Sequence, residues 1–254
     1  LYVHFGTQTY RDGVDLTTEE FYRKLETSST LPRTSAPGPG IFAEVFDTLA
    51  RETNEILVIC LSQKLSATYQ ATLQGIGLMK RKCQVMVVDS KAAIMGQGLL
   101  VIEAAKEALS GASLQKIVDK VCKTMDLVHI RATMDTLKYL VMGGRIGKAQ
   151  ALLGSMLRIN PILGIKNGEA FPFGRERSRA KATEALYKFA TSFTKVKALA
   201  VEHALNQDEA KALAKRIASV FSRVPIYMSM VSPVIGTHTG PNVLAVSVLE
   251  AEKK

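Results

Sequence analysis

The chain has 254 residues, enough for a buried core and, at roughly 150 residues per domain, for one large or two modest domains. Hydrophobic residues make up 47% and charged residues 22%, with 18 glycines and 8 prolines, which excludes disordered, collagen-like and low-complexity classes. A formal net charge of +10 invites nucleic acid, anionic membrane or an acidic partner, yet the basic residues come in pairs and triplets such as Lys80-Arg81-Lys82 and never in a block of five.

Leu1 to Phe5 reads as the end of a strand without initiator methionine or leader, so a missing N-terminal piece is expected and the absence of a signal peptide carries little weight. Thr17 and Glu20 form a capping box that predicts a helix through Phe21, Tyr22 and Leu25, followed by a loop from Thr30 to Gly40. An apolar strand at Ile56 to Leu61, a helix from about Ser66 to Lys82, a strand at Val85 to Asp89 and helices near 92–109 and 114–125 then alternate. Buried strands separated by helical crossovers predict a Rossmann-like parallel sheet domain over residues 1–126, its first strand apparently missing.

The second half changes rhythm. Strands are predicted near 128–134, 160–165, 170–173, 198–202, 226–231 and 243–249, with helices at about 179–193 and 208–222 covering one face. Asn167-Gly168 between two strands is a hairpin signal, so residues 127–254 are expected to form an α+β domain with a mixed or antiparallel sheet. The longest apolar stretches fall short of the roughly 18 residues of a membrane-spanning helix. Cys60, Cys83 and Cys122 are an odd count with no C-x-x-C spacing and read as reduced core thiols, which suits the cytoplasm.

Phosphate-loop motifs do not occur, the four histidines have no partner at i+3 to i+5 for a metal, and there is no G-x-S-x-G elbow. What remains are polar clusters, two of them placed just past predicted strands, where an open α/β sheet keeps its ligands. Leu61 to Tyr69 carries Ser62 and Ser66, with Ser66 at or near a helix N-cap; Val88-Asp89-Ser90 follows the next strand. Thr34-Ser35-Ala36-Pro37-Gly38-Pro39-Gly40 reads as a hydroxyl-bearing loop, and Gly143-Gly144-Arg145-Ile146-Gly147 as a helix C-cap that offers a guanidinium between glycines. Ile235 to Pro241 sets His238 among hydroxyls at what reads as a strand end. Each segment alone is equally readable as a cap or a turn.

Taken in order, Thr34 to Pro37, Leu61 to Tyr69, Val88-Asp89-Ser90 with Gly96-x-Gly98, Leu137-x-Tyr139-Leu140-x-x-Gly143-Gly144-Arg145-Ile146 and Gly236-x-His238-Thr239-Gly240-Pro241 resemble the DegV family of bacterial fatty-acid-binding proteins across essentially the whole chain. The resemblance implies a two-domain carrier without a catalytic step or cofactor, holding one long-chain fatty acid such as palmitate or oleate with its carboxylate at the domain junction. A separate fatty acid kinase then phosphorylates that carboxylate for phospholipid synthesis. Matched positions imply head-group ligands at Thr34, Ser66, Arg145 and His238, with Ser35 and Ser62 in support. Two positions depart from the family pattern: Ala67 and Asn242 stand where glycines are usual.

The chemistry is coherent. A buried carboxylate needs paired hydrogen-bond donors, and burying a sixteen-carbon tail yields about 12 kcal/mol gross at about 0.8 kcal/mol per CH₂. The alternative is a serine acyl-hydrolase or acyltransferase with Ser66 as nucleophile, His238 as base and Asp89 as orienter. A nucleic-acid-binding role lacks a helix-turn-helix or basic stripe, so no nucleic acid partner is expected; transient contact with an anionic membrane surface fits the net charge better.

Overall fold

The computed structural model describes residues 1–154 and 159–252. It is a mixed α/β chain with two compact units, one of Leu1–Ser35 with Leu127–Lys254 and one of Ala36–Asp126. The chain therefore leaves its first unit, builds the second, and returns.

The opening segment forms β1 (Tyr2–Phe5), β2 (Gln8–Arg11), α1 (Thr18–Thr27) and β3 (Arg33–Ser35). The strands pair antiparallel in the order β2-β1-β3, with Val3 opposite Thr34. Thr17 caps α1, its hydroxyl accepting from the Glu20 N–H while the Glu20 carboxylate accepts from the Thr17 N–H, as the spacing predicts. Alternation along β1 buries Val3 and Phe5, which join Phe21, Tyr22 and Leu25 of α1 in one core with Met134, Leu163, Val231 and Val234. That packing draws the first 35 residues into the unit of residues 127–254, whereas the sequence reading assigns them to the parallel half.

The other unit contains α2 (Pro39–Leu49), β4 (Glu55–Cys60), α3 (Thr68–Ile76), β5 (Gln84–Asp89), α4 (Ile94–Leu109) and α5 (Leu114–Met125). β4 and β5 run parallel, Ile56 opposite Val85 and Cys60 opposite Asp89, and among the described residues they make a sheet of two strands. Val88 and the α5 residues Leu114, Ile117, Val118 and Val121 form its core together with Ala104. The expected loop from Thr30 to Gly40 holds β3 and the first turn of α2, where Pro39 opens the helix at a position that needs no N–H donor.

The chain then returns through β6 (Val128–Thr133), α6 (Lys138–Met142), a 3-10 helix (Gly147–Leu152), β7 (Asn160–Lys166), β8 (Glu169–Glu176), α7 (Arg179–Thr191), β9 (Val196–His203), α8 (Gln207–Val220), β10 (Ile226–Met230), α9 (Pro233–Thr239) and β11 (Leu244–Glu250). Among the described residues six strands make a mixed sheet in the order β10-β9-β11-β6-β7-β8, parallel only between β10 and β9. Asn167 and Gly168 turn the β7–β8 hairpin with φ of 54° and 82°, the left-handed pair its tight turn requires. Leu186 and Ala190 of α7 and Leu213 and Ile217 of α8 cover Leu199, Val201, Leu244, Val246 and Val248 on one face. His238 therefore rides on a short helix, α9, and not at a strand end. Of the three cysteines, all unpaired, only Cys60 is buried; Cys83 is half-buried and Cys122 exposed, so the expectation of three core thiols holds for one. No described helix is long and apolar enough to cross a membrane.

Candidate functional site

The 127–254 unit closes its polar cluster with residues from both ends of the chain. Thr34 shares a face of its sheet with Val3, and its hydroxyl lies 2.8 Å from His238 Nε2 in a part-buried hydrogen bond. Alternation sends Ser35 to the opposite face, where its hydroxyl meets His4 Nε2 at 2.8 Å. His4 is also bonded to Thr9 at 2.9 Å. The structure thus separates Ser35 from the Thr34 pair that the motif groups it with.

Arg145 arrives by a different route. α6 ends in a Schellman motif: the Arg145 N–H donates to Leu140 O at 2.9 Å and the Gly144 N–H to Val141 O at 3.0 Å, with Gly144 at φ 68°. The predicted C-cap is therefore present, and it turns the arginine back so that Nη1 donates to Gly143 O at 2.7 Å. Gly143 is pressed against the histidine, since a Cβ built there would lie 2.1 Å from His238 Nδ1. Tyr139, one turn earlier, stacks over Gly240, the residue that ends α9.

The electrostatics follow from this crowding. Burial, then the Arg145 charge, pull the His238 pKa down to about 4, so the ring is neutral at pH 7. Its Nδ1 is buried and has no hydrogen-bond partner among the described residues. A neutral imidazole, a hydroxyl and a guanidinium within one contact network suit a bound carboxylate, which takes charge-assisted and neutral hydrogen bonds together.

α9 is held from behind. Tyr22 donates its hydroxyl to Val231 O at 2.9 Å, and Gly236 abuts the Tyr22 and Phe21 rings. Asp12, whose pKa is raised by burial, receives stabilising hydrogen bonds from the Ser232 side chain and the Val234 N–H at the start of the helix.

Ser62 and Ser66 belong to the 36–126 unit, on the loop between β4 and α3. Ser62 is fully buried and its Oγ accepts from the Lys64 N–H at 3.2 Å. Ser66 Oγ bonds Thr68 Oγ1 at 2.8 Å and accepts from the Thr68 N–H at 3.3 Å, one residue ahead of the helix cap at Ala67. The facing loop after β5 is braced by Asp89, whose carboxylate accepts from the Gln63 and Lys91 N–H groups at 3.2 and 3.0 Å. Lys91 and Ile94 sit at φ 51° and 49°, and a β-branched residue in the left-handed region is strained by roughly 1 to 3 kcal/mol. Asp89 serves this loop, and His238 pairs with Thr34, so the partners named for a hydrolytic triad are each engaged within their own unit. Among the described residues no group of three His, Cys, Asp or Glu side chains gathers as a metal site.

Sequence reasoning missed Tyr139, Tyr22 and Asp12 as supports. Tyr139 stands inside the motif that carries Arg145, and its place before two glycines was the available signal.

Comparison with known proteins places this geometry in a family. The family model described as "Uncharacterised protein, DegV family" matches residues 1–251. A DegV domain-containing protein of Halalkalibacterium halodurans is 37% identical over 252 residues, spanning 97% of this chain and 88% of the relative. A solved structure described as fatty acid binding of a DegV family protein from Thermus thermophilus superposes with TM-score 0.88 at 30% identity, covering 98% of this chain and 90% of that one. DegV from Bacillus subtilis, described as a fatty acid binding protein, gives TM-score 0.89 at 28% identity with the same coverage. With its motifs in order and its fold matched end to end, this chain belongs to the DegV family.

Proposed function

We propose that the chain binds one long-chain fatty acid, palmitate-like or oleate-like, holding the carboxylate with Thr34, Arg145 and His238. The observation that carries this reading is the Thr34–His238 hydrogen bond beside Arg145, a neutral and charged donor set crowded into one place. Two relatives of the same fold, described as fatty acid binding, support the ligand class. Ser35, turned to His4, is left out of the head-group set.

The carrier would act in the cytoplasm and present its acid to a separate fatty acid kinase. That enzyme would move the ATP γ-phosphoryl onto a carboxylate oxygen, forming the acyl phosphate for phospholipid synthesis as the bond to ADP breaks. The net charge of +10 supports transient contact with anionic lipid during loading. Vesicle sedimentation is expected to favour anionic over neutral lipid.

Mass spectrometry of an organic extract from natively purified protein tests the central claim. Near-equimolar free fatty acid is expected; an extract that stays empty after incubation with mixed fatty acids overturns it. Arg145→Ala is expected to weaken binding roughly tenfold to a hundredfold, the worth of one charge-assisted hydrogen-bond pair.

A further inference from the structure

The two segments that build the head-group cluster, 135–145 and 236–242, are fastened to each other at their outer ends. Asn242 Nδ2 donates to Asp135 Oδ2 at 2.7 Å. The Asn242 carbonyl accepts from Arg179 Nη1 at 2.8 Å, and the same Nη1 lies 3.6 Å from Asp135 Oδ1. Arg179 also grips Glu209 through Nε and Nη2 at 2.8 to 3.0 Å, tying α7 to α8. Thr183 and Asn206 donate to Glu209 as well, and these bonds outweigh burial to hold its carboxyl below the usual carboxylate range.

Between this clasp and the histidine lie contacts with almost no slack. Tyr139 packs on Gly240, and Gly143 meets His238 Nδ1 so closely that a single added methyl has no place. Each segment thus packs directly against the other beside the imidazole. The clasp uses the side chain of Asn242, where the family resemblance leads one to expect a glycine, which has none.

We infer that Asn242, with Asp135 and Arg179, is a positioning device that sets the place of His238 and so the residence time of the bound acid. The inference rests on the proposed function for the residence time alone; the place of the imidazole is independent of it.

The test uses the full chain and two readouts, the ¹⁵N resonances of the His238 imidazole without ligand and the rate at which bound oleate leaves for acceptor vesicles. Asn242→Ala deletes the donor. Asn242→Asp sets two carboxylates against each other, and Asp135→Asn added to it restores a hydrogen bond with donor and acceptor exchanged. Both single variants are expected to move the His238 resonances and to speed release roughly three- to tenfold. The double variant is expected to return both toward the wild-type values. Resonances unmoved in the folded single variants, release unchanged while wild type holds oleate, or a double variant that restores nothing would each overturn the inference. A wild-type protein that binds no fatty acid removes the proposed function instead, and the resonances then decide alone.

Discussion

Gly143 is the residue on which the cluster is most finely balanced. A Cβ there would fall 2.1 Å from His238 Nδ1, so Gly143→Ala must push α6 and α9 apart. The expected outcome is a destabilisation of about 1 to 3 kcal/mol and loss of fatty acid retention, checked by urea unfolding beside extract analysis. His238 makes a second prediction. Its folded pKa of about 4 lies below the usual 6.5, so between these values the unfolded chain binds more protons. Stability contributed by the neutral ring is therefore whole above pH 6.5 and drains away as pH falls toward 4, at no more than about 1.4 kcal/mol per pH unit. His238→Gln should flatten that part of the stability profile relative to wild type; parallel profiles would contradict the assignment. Thr34, Arg145 and His238 stand out in the sequence because each sits in a short motif with glycine or hydroxyl neighbours; that Thr34 and His238 bond each other has no local signature. Ser35 was misread because a loop reading ignores the alternation that a strand imposes.

Among the elements, α9 is the one whose existence depends most on its surroundings. Its seven residues include Val234, Ile235, Thr237 and Thr239, all β-branched, and Gly236, a composition that favours strand over helix. Tertiary contacts override it: Pro233 opens the first turn, and Tyr22 caps the preceding strand end at Val231 O. Tyr22→Phe should cost about 1 kcal/mol through the lost buried hydrogen bond, read as a lower melting temperature with the same secondary structure. This dependence explains what could be read in advance. The capping box at Thr17 and the Asn167-Gly168 hairpin carry their own local chemistry and were predicted where they occur. α2 was not, although Pro39 at its start and the apolar spacing of Phe42, Phe46 and Leu49 were available signals.

On the scale of the molecule, the 36–126 unit is one unbroken stretch while the other is assembled from two. Pairing within the first requires loops of a few tens of residues, as between β4 and β5, whereas joining β1 to α9 closes a loop of most of the chain. Long closures delay folding more than they weaken the final state. Pulse-labelling hydrogen exchange during refolding should therefore protect β4 and β5 amides before those at 128–130 of β6, whose partner β11 lies near the far end of the chain; simultaneous protection would count against the order. Reading the chain from start to end divides it by rhythm, and rhythm changes at residue 127 but not at 35. The return of the first strands to a distant partner has no local signature, since it is written only in which apolar face fits which core.

The Thr34–His238 hydrogen bond spans 204 positions of the chain. At a synthesis rate of about 5 to 20 residues per second, the ribosome needs roughly 10 to 40 s after making the threonine before the histidine exists. Throughout that interval the threonine hydroxyl has no imidazole to bond. The contact can therefore form only when synthesis is nearly over, and a messenger truncated anywhere short of α9 yields a protein without it.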